Sequence, residues 1–129
     1  MLKVLKSLSD ENRLRILHLL SLQSLCVCEI EVLLNMKQSN VSRHLNKLKS
    51  AMVIESNKEG QWVHYGLTGD FKRRYSHMLK DLASYFSENQ VFISDRMAYD
   101  RYTELGYSCT EIRADEVLVK LQVRGENNE

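Results

Sequence analysis

The chain has 129 residues, of which 43% are hydrophobic, and these values predict one globular domain with a compact core. No stretch approaches the roughly 20 apolar residues of a membrane span, and the opening MLKVLKSL lacks the apolar segment of a signal peptide, so we expect a cytoplasmic protein with no membrane partner. The three cysteines, an odd number, argue against a disulfide-built secreted domain. Because the formal net charge is only +1, affinity for nucleic acid would require a local basic face.

The first half of the chain has the apolar spacing of successive helices. Leucines at helical spacing begin the chain, and Ser9 or Asp10 can cap a second helix. After a break at residues 21–25, residues 26–34 (CVCEIEVLL) predict a short helix that stops at Asn35. A turn around NMKQ leads to SNVSRHLNKLKSAM, a helix whose apolar face consists of Val41, Leu45, Leu48 and Met52. Its opposite face is polar and basic.

The pattern then changes to a hairpin, because VIES and QWVHYGL flank the turn sequence NKEG. Residues 71–86 are predicted as one helix, and their broad apolar face indicates, together with the first helix, a dimer interface. Beyond residue 88, Ser94 can cap a helix that runs through Leu105 and ends at Gly106. VLVKLQVR fits a strand or a short helix, and the final GENNE is predicted to be disordered.

Helix, turn, helix and then hairpin is the order of a winged helix-turn-helix, a mainly α fold with a β-hairpin, in which the second helix of the pair enters the major groove of DNA. We assign residues 1–88 to this domain with terminal dimerisation helices, and residues 89–129 to a C-terminal extension of undetermined structure. Amide, guanidinium, hydroxyl and ammonium groups can reach bases and phosphates. The predicted DNA contacts are Gln38, Ser39, Asn40, Ser42, Arg43, His44, Lys47 and, at the hairpin tip, Lys58. The alternative is an ordinary solvated helix face.

Four segments together carry a resemblance to a known family: SLSDENRLRILHLL, LCVCEIEVLL, QSNVSRHLNKLKSAMVIES and KEGQWVHYGL. From about residue 5 to about residue 70 the chain resembles the ArsR/SmtB family of metal-sensing bacterial repressors. The resemblance implies a homodimeric repressor that binds operator DNA without inducer and leaves it when a metal or metalloid binds. It also implies that Gln38, Ser39, Ser42, Arg43 and His44 face DNA.

The chain departs from the family at two positions near the DNA-binding elements. Met52 stands where the family usually has glycine after the recognition helix, and a left-handed turn there would be strained for a side chain. We therefore expect the helix to run on or to end differently. Gln61 replaces a basic residue that is common beside the hairpin glycine, which removes one predicted phosphate contact.

Two of the three cysteines, Cys26 and Cys28, resemble the family's arsenic-sensing ELCVCDL segment. Thiolates select thiophilic ions, and the helix start is expected to lower the thiol pKa. Trivalent arsenic prefers three sulfurs in a pyramid, and antimony behaves alike. Because Glu31 stands where such repressors often have a third cysteine, the third sulfur would come from Cys109 or a small cellular thiol, or the site has only two.

Helix geometry suggests a mechanism of release. Residues i and i+2 point about 200° apart, so Cys26 and Cys28 could face one ion only if their helix opened. Opening would move the recognition helix and release DNA. No cofactor is expected for DNA binding itself, and the predicted inducer is arsenite or antimonite, with zinc or cadmium as the alternative.

The cysteines also fit three roles that involve no metalloid. They can be small buried hydrophobes, a labile redox switch, or the centre of a small thiol enzyme. Against an enzyme, the sequence offers no pocket-forming set of acid, base and nucleophile and no glycine-rich phosphate loop.

The histidines do not complete a second metal site. The family's other sensor position uses aspartate and histidine pairs on the last helix, and Asp70, His77 and Asp81 supply only part of it, so a complete zinc site is not expected there. We interpret His77 as an interface residue, and His18 and His64 as structural or solvated.

Overall fold

Nine α-helices and three short strands occur in residues 1–125, the part of the chain that this computed structural model describes. The helices are α1 (Leu2–Ser7), α2 (Glu11–Leu22), α3 (Val27–Leu34), α4 (Gln38–Ser50), α5 (Gly69–Arg74), α6 (Ser76–Glu88), α7 (Gln90–Glu104), α8 (Cys109–Ala114) and α9 (Glu116–Arg124). The strands are β1 (Leu25–Cys26), β2 (Ile54–Glu59) and β3 (Trp62–Leu67). No described helix combines the length and apolar character that crossing a membrane requires.

Helices α3 and α4 form the predicted helix-turn-helix. Asn35 ends α3 in the left-handed conformation, with φ 55°, which turns the chain sharply into α4. The predicted inner residues of the two helices are buried: Ile30, Leu33 and Leu34 on α3, and Val41, Leu45 and Leu48 on α4. Helix α2 packs against both and is capped by Asp10, whose side chain accepts a hydrogen bond of 3.1 Å from the Arg13 N–H.

The C-terminal end of α4 differs from our expectation. The N–H groups of Met52 and Val53 donate to the carbonyls of Lys49 and Leu48, each at 3.0 Å, so α4 closes in a Schellman-type turn. Met52 occupies the left-handed position of this turn with φ 63°, and its side chain is 76% exposed. The helix therefore ends where a glycine would end it, and the methionine adopts a conformation that costs a side-chain residue free energy.

The three strands form one antiparallel sheet of order β1-β3-β2. The hairpin of β2 and β3 is the predicted one, with Glu59 paired to Trp62 beside the turn. The third strand, β1, lies just before α3 and pairs Leu25 with Tyr65 and Cys26 with His64. The predicted two-stranded ribbon is thus incomplete, because two residues are too few for strand alternation to be recognised in the sequence.

The segment predicted as one helix over residues 71–86 forms two. Helix α5 starts at Gly69, where the Thr68 hydroxyl accepts a hydrogen bond of 3.1 Å from the Phe71 N–H. Tyr75 lies between the two helices with φ −117° and ψ 30°, outside helical geometry. The break separates the basic end of α5 from the apolar face of α6.

The last three helices pack onto the helix-turn-helix. Helix α7 contacts α2 and α3, and α9 contacts α3 and α7. Helix α7 starts at Gln90 rather than Ser94, it ends before Gly106 as expected, and VLVKLQVR belongs to α9, so its helical alternative is correct. Residues 126–129 of GENNE lie outside the described residues. The assignment of separate domains to residues 1–88 and 89–129 stays a prediction.

Candidate functional site

The outer face of α4 and the hairpin tip form a polar, basic surface. The side chains of Val41, Leu45 and Leu48 hold the opposite face of α4 in the core. The Arg43 guanidinium donates to the Asn40 carboxamide oxygen at 3.3 Å, one turn earlier on the same helix. Of the predicted DNA contacts, Ser42 is half-buried, and those exposed to solvent are Gln38, Ser39, Asn40, Arg43, Lys47 and Lys58.

His44 does not belong to this surface. Its side chain is 2% exposed, and its Nδ1 lies 3.3 Å from Nη1 of Arg13 on α2. Burial lowers the pKa of His44, which favours the neutral imidazole. The prediction that His44 contacts DNA is therefore wrong, because the side chain instead fixes α4 against α2.

Cys26 lies before α3 rather than inside it. Its backbone is extended, with φ −81° and ψ 163°, because it ends β1 and forms the N-cap of α3. Cys28 is the second residue of the helix. The premise that both thiols project from one regular helix is wrong, because Cys26 precedes the first helical residue.

A buried carboxylate fixes this junction. Glu29 Oε1 accepts a hydrogen bond of 2.9 Å from the Cys26 N–H, and Glu29 Oε2 accepts one of 2.5 Å from the Tyr102 hydroxyl of α7. Burial raises the pKa of Tyr102, and the hydrogen bond to Glu29 raises it further. Glu29 and Tyr102 thus connect the start of α3 to the C-terminal helices.

The third cysteine, Cys109, lies close to the C-x-C segment. Cys109 begins α8, and its Sγ lies 2.8 Å from Sγ of Cys28. The Cys26 thiol also contributes to raising the pKa of Cys109. All three cysteines are free thiols, and Cys109 lies beside the C-x-C segment through its contact with Cys28.

The protonation of the thiols differs from our expectation. Burial raises the pKa of Cys26, Cys28 and Cys109, although the hydrogen bond with Cys109 acts in the opposite direction at Cys26 and Cys28. The predicted lowering by the helix start is wrong, because desolvation is the larger effect. The thiols are mainly protonated at neutral pH.

An open groove of about 470 Å³ gives access to two of the three cysteines. Cys26 and Cys28 line it together with Gln38, the first residue of α4. On the other side, the guanidinium carbon of Arg113 on α8 lies 5.3 Å from the centroid of the Trp62 ring on β3. The groove therefore borders the helix-turn-helix, the hairpin and α8 at once.

One potential ligand, His64, and one positioning pair, Glu29 and Tyr102, were not predicted from the sequence. His64 Nε2 lies 3.6 Å from Sγ of Cys26, because β1 and β3 pair these residues directly. The pattern C-x-x-E at residues 26–29 resembles a capping box and could have indicated the role of Glu29. No local pattern could have connected Tyr102 to it.

The partial zinc set remains dispersed between two helices. The Asp70 carboxylate on α5 lies 3.5 Å from both Arg73 and Arg74, whereas His77 and Asp81 are exposed on α6. His18 is buried and stacks on Phe86, with ring centroids 4.5 Å apart.

The fold and the basic surface define a winged helix-turn-helix DNA-binding protein, and comparison with known proteins agrees. The family model described as "Bacterial regulatory protein, arsR family" matches residues 10–56. The chain is 44% identical to the arsenic resistance transcriptional regulator ArsR2 of Pseudomonas putida over 60% of this chain and 68% of that protein. It is 46% identical to the cadmium resistance transcriptional regulatory protein CadC of Listeria innocua, over 46% of this chain and 51% of that protein.

A solved structure is similar as well. The homodimeric winged helix-turn-helix DNA-binding domain of a possible ArsR-family regulator from Mycobacterium bovis matches with a TM-score of 0.57 and 27% identity, over 67% of this chain and 82% of that one. The chain belongs to the ArsR family and is a DNA-binding transcriptional repressor rather than an enzyme.

Proposed function

We propose that this repressor responds to trivalent arsenic or antimony, which binds the thiols of Cys26, Cys28 and Cys109 and releases operator DNA. The observation that carries the proposal is the 2.8 Å distance between Sγ of Cys28 and Sγ of Cys109, from segments far apart in the chain. The name of the Pseudomonas relative supports arsenic as the inducer.

The coordination chemistry favours a trivalent metalloid. Arsenite is neutral As(OH)₃, and its reaction with three thiols breaks three S–H and three As–O bonds, forms three As–S bonds and releases three water molecules. The product carries no net charge. Protonated thiols with raised pKa values are therefore competent for this reaction, and the neutral product suits a site beside the buried Glu29 carboxylate.

Binding of a divalent ion to the same thiols carries a free-energy cost that arsenite binding does not. Three thiols that bind Cd²⁺ or Zn²⁺ lose three protons to solvent and give a complex with one negative charge. That charge lies in a largely buried site, so desolvation opposes it. The name of the Listeria relative nevertheless supports a cadmium- or zinc-responsive alternative.

The groove offers a route from the ion to the DNA surface. Cys28 lies in the first turn of α3, Gln38 begins α4, and both line the groove in which the ion would bind. An ion bound between the sulfurs of α3 and α8 would separate them beyond their 2.8 Å contact and so change the position of α3, and the short turn at Asn35 would transmit this change to α4.

We further propose that a homodimer binds an inverted repeat in the operator, through the exposed residues of α4 and Lys58. One winged helix offers few base contacts, so two-fold protein symmetry should be matched by the DNA site. Exposed apolar side chains on α1, Leu2 and Leu5, support an interface there. The similar Mycobacterium domain is homodimeric.

A thiol-redox switch is the second candidate, and the same sulfur contact favours it. Two thiols in contact can be oxidised by a peroxide to a disulfide, with the peroxide reduced to two molecules of water. In this case the pair would be Cys28 and Cys109 rather than the two cysteines of the C-x-C motif.

The test is release of the protein from its own upstream DNA. The parent protein is titrated with arsenite, antimonite, cadmium, zinc and peroxide, beside Cys26→Ser, Cys28→Ser and the double variant. We expect all variants to bind DNA like the parent and to lose release by arsenite and antimonite. Release of the double variant at the parent's arsenite concentration refutes the proposal, and release by peroxide alone supports the redox candidate.

A further inference from the structure

The side chain of His64 is a fourth potential ligand and lies beside the sulfur of Cys26. Its Nε2 lies 3.6 Å from Sγ of Cys26, and the direct pairing of the two residues across β1 and β3 keeps both side chains on one face of the sheet. The imidazole is half-buried, so it remains accessible to an ion.

We propose that Zn²⁺ and Cd²⁺ bind here with four ligands, the Sγ atoms of Cys26, Cys28 and Cys109 and the Nε2 atom of His64, whereas trivalent arsenic uses the sulfurs alone. This inference rests on the proposed thiol site and adds the ligand that distinguishes the two classes of ion.

One pair of ligand atoms already has the spacing of a tetrahedral site. Zn–S and Zn–N bonds of about 2.3 and 2.0–2.1 Å place a sulfur and a nitrogen of one tetrahedral site about 3.6 Å apart. The distance between Cys26 Sγ and His64 Nε2 is 3.6 Å without any ion. Zinc readily accepts a mixed set of thiolates and imidazole.

Trivalent arsenic does not bind a fourth ligand in this site. Its lone pair occupies the apex of the pyramid that the three sulfurs form, so an imidazole nitrogen finds no vacant position. The affinity for arsenite should therefore be independent of His64, and that independence separates a ligand from a residue that merely supports the fold.

Glu29 lies close to Cys26 Sγ and the His64 ring, but its carboxylate is not available to coordinate an ion. One of its carboxylate oxygens, Cys26 Sγ and a His64 ring nitrogen lie within 4.8 Å of one another. Both oxygens, however, accept hydrogen bonds, one from the Cys26 N–H and one from the Tyr102 hydroxyl. Coordination by Glu29 would break a buried hydrogen bond, so His64 is the better ligand.

The fourth ligand also determines which helices and strands the ion connects. His64 lies on β3, the strand that carries Trp62, and the hairpin of β2 and β3 carries the predicted DNA contact Lys58. A divalent ion would connect this hairpin to α3 and α8, whereas arsenic would connect only α3 and α8. Trp62 is the only tryptophan of the chain, so its fluorescence reports changes at the hairpin.

The experiment compares the reduced parent protein with His64→Gln and with the control His77→Gln, whose side chain is exposed on α6. Each is titrated with Zn²⁺, Cd²⁺, Co²⁺ and, separately, arsenite. Binding is followed by Trp62 fluorescence and by thiolate charge-transfer absorption. The visible absorption of bound Co²⁺ reports the number and type of ligands.

We expect His64→Gln to bind Zn²⁺ and Cd²⁺ about tenfold or more weakly and to change the Co²⁺ spectrum, since even outer-shell partners of a metal contribute about 10–100-fold. Its arsenite affinity should equal the parent's, and His77→Gln should behave as the parent with every ion.

Three results would overturn the inference. The first is that His64→Gln keeps the parent's divalent-ion affinity and Co²⁺ spectrum. The second is that His64→Gln loses as much affinity for arsenite as for divalent ions. The third is that the parent does not bind divalent ions. A different combination of results would contradict the proposed function instead. In it, the parent binds Zn²⁺ and His64→Gln binds Zn²⁺ more weakly, but the parent does not respond to arsenite.

Discussion

Cys28 and Cys109 place their sulfur atoms 2.8 Å apart although 81 positions separate them in the chain. The contact exists because α8 packs against α3, while the C-x-C segment supplies Cys26 beside it. The chain therefore provides a third sulfur from its C-terminal helices at the site where the sequence motif has only two. Under the proposed function, this sulfur takes the place of an external thiol in the pyramid.

The protonation of these thiols predicts different pH dependences for the two classes of inducer. Because burial raises the thiol pKa values, Cd²⁺ must displace protons, and its affinity should rise with pH by up to about three powers of ten per unit over roughly pH 6 to 8. Arsenite affinity should stay nearly constant, since water is the only product. Competition titrations measure both, and a steep pH dependence for arsenite would contradict the neutral reaction.

The surface of α4 predicts two different effects on DNA binding. Arg43→Ala should weaken specific binding by roughly 1–3 kcal/mol and relax sequence preference, because an arginine at the helix start can read a guanine. Lys58→Ala should weaken binding to all sequences and reduce the salt slope by about one. Fluorescence anisotropy at several salt concentrations separates the two, with Glu55→Ala on β2 as the control. Unchanged affinity and preference in Arg43→Ala would refute the proposed docking of α4.

Much of the helix-turn-helix could be predicted from the sequence because its apolar spacing is local. Val41, Leu45 and Leu48 recur at helical intervals, and the NKEG turn marks the hairpin. The prediction that His44 contacts DNA was wrong, because His44 lies within a polar run of the sequence but contacts Arg13 of another helix. Helix periodicity alone does not reveal such a long-range contact.

The candidate site was predictable only in part. Cys26 and Cys28 form a recognisable motif, whereas the contacts of Cys109 and Tyr102 depend on how α7 and α8 pack, which no local pattern encodes. The raised thiol pKa values likewise follow from tertiary burial. His64 reaches the site through the pairing of a two-residue strand.

The left-handed conformation of Met52 predicts a stabilising substitution. Met52→Gly should raise the free energy of unfolding by about 1 kcal/mol, because glycine adopts φ 63° without a steric penalty and the exposed side chain contributes little packing. Met97→Gly is the control with the opposite sign, since Met97 is partly exposed within α7 and glycine lowers helix stability by about 1 kcal/mol. Urea denaturation measures both. A destabilised Met52→Gly would contradict the assignment of the turn.

A buried ion cluster predicts a large loss of stability. Asp95 of α7 is fully buried and contacts Arg15 of α2 at 2.8 Å and Arg124 of α9 at 3.2 Å. Asp95→Asn should lower the free energy of unfolding by roughly 3–5 kcal/mol, because it leaves two arginines without their counter-charge. Asp100→Asn removes an exposed pair with Arg96 on the same helix and should cost below about 1 kcal/mol. Equal effects in the two variants would contradict the role of the cluster.

The central claim is that one chain supplies three sulfurs to one trivalent ion. X-ray absorption at the arsenic edge tests it most directly, on the parent protein and on Cys109→Ser, each loaded with arsenite and free of small thiols. We expect three sulfur neighbours and no oxygen in the parent, and two sulfurs with one oxygen in Cys109→Ser, which should also need at least about tenfold more arsenite for release from DNA. Thr110→Ser, next to Cys109 on α8, should match the parent. Two sulfurs and one oxygen in the parent, or identical spectra for the parent and Cys109→Ser, would contradict the account.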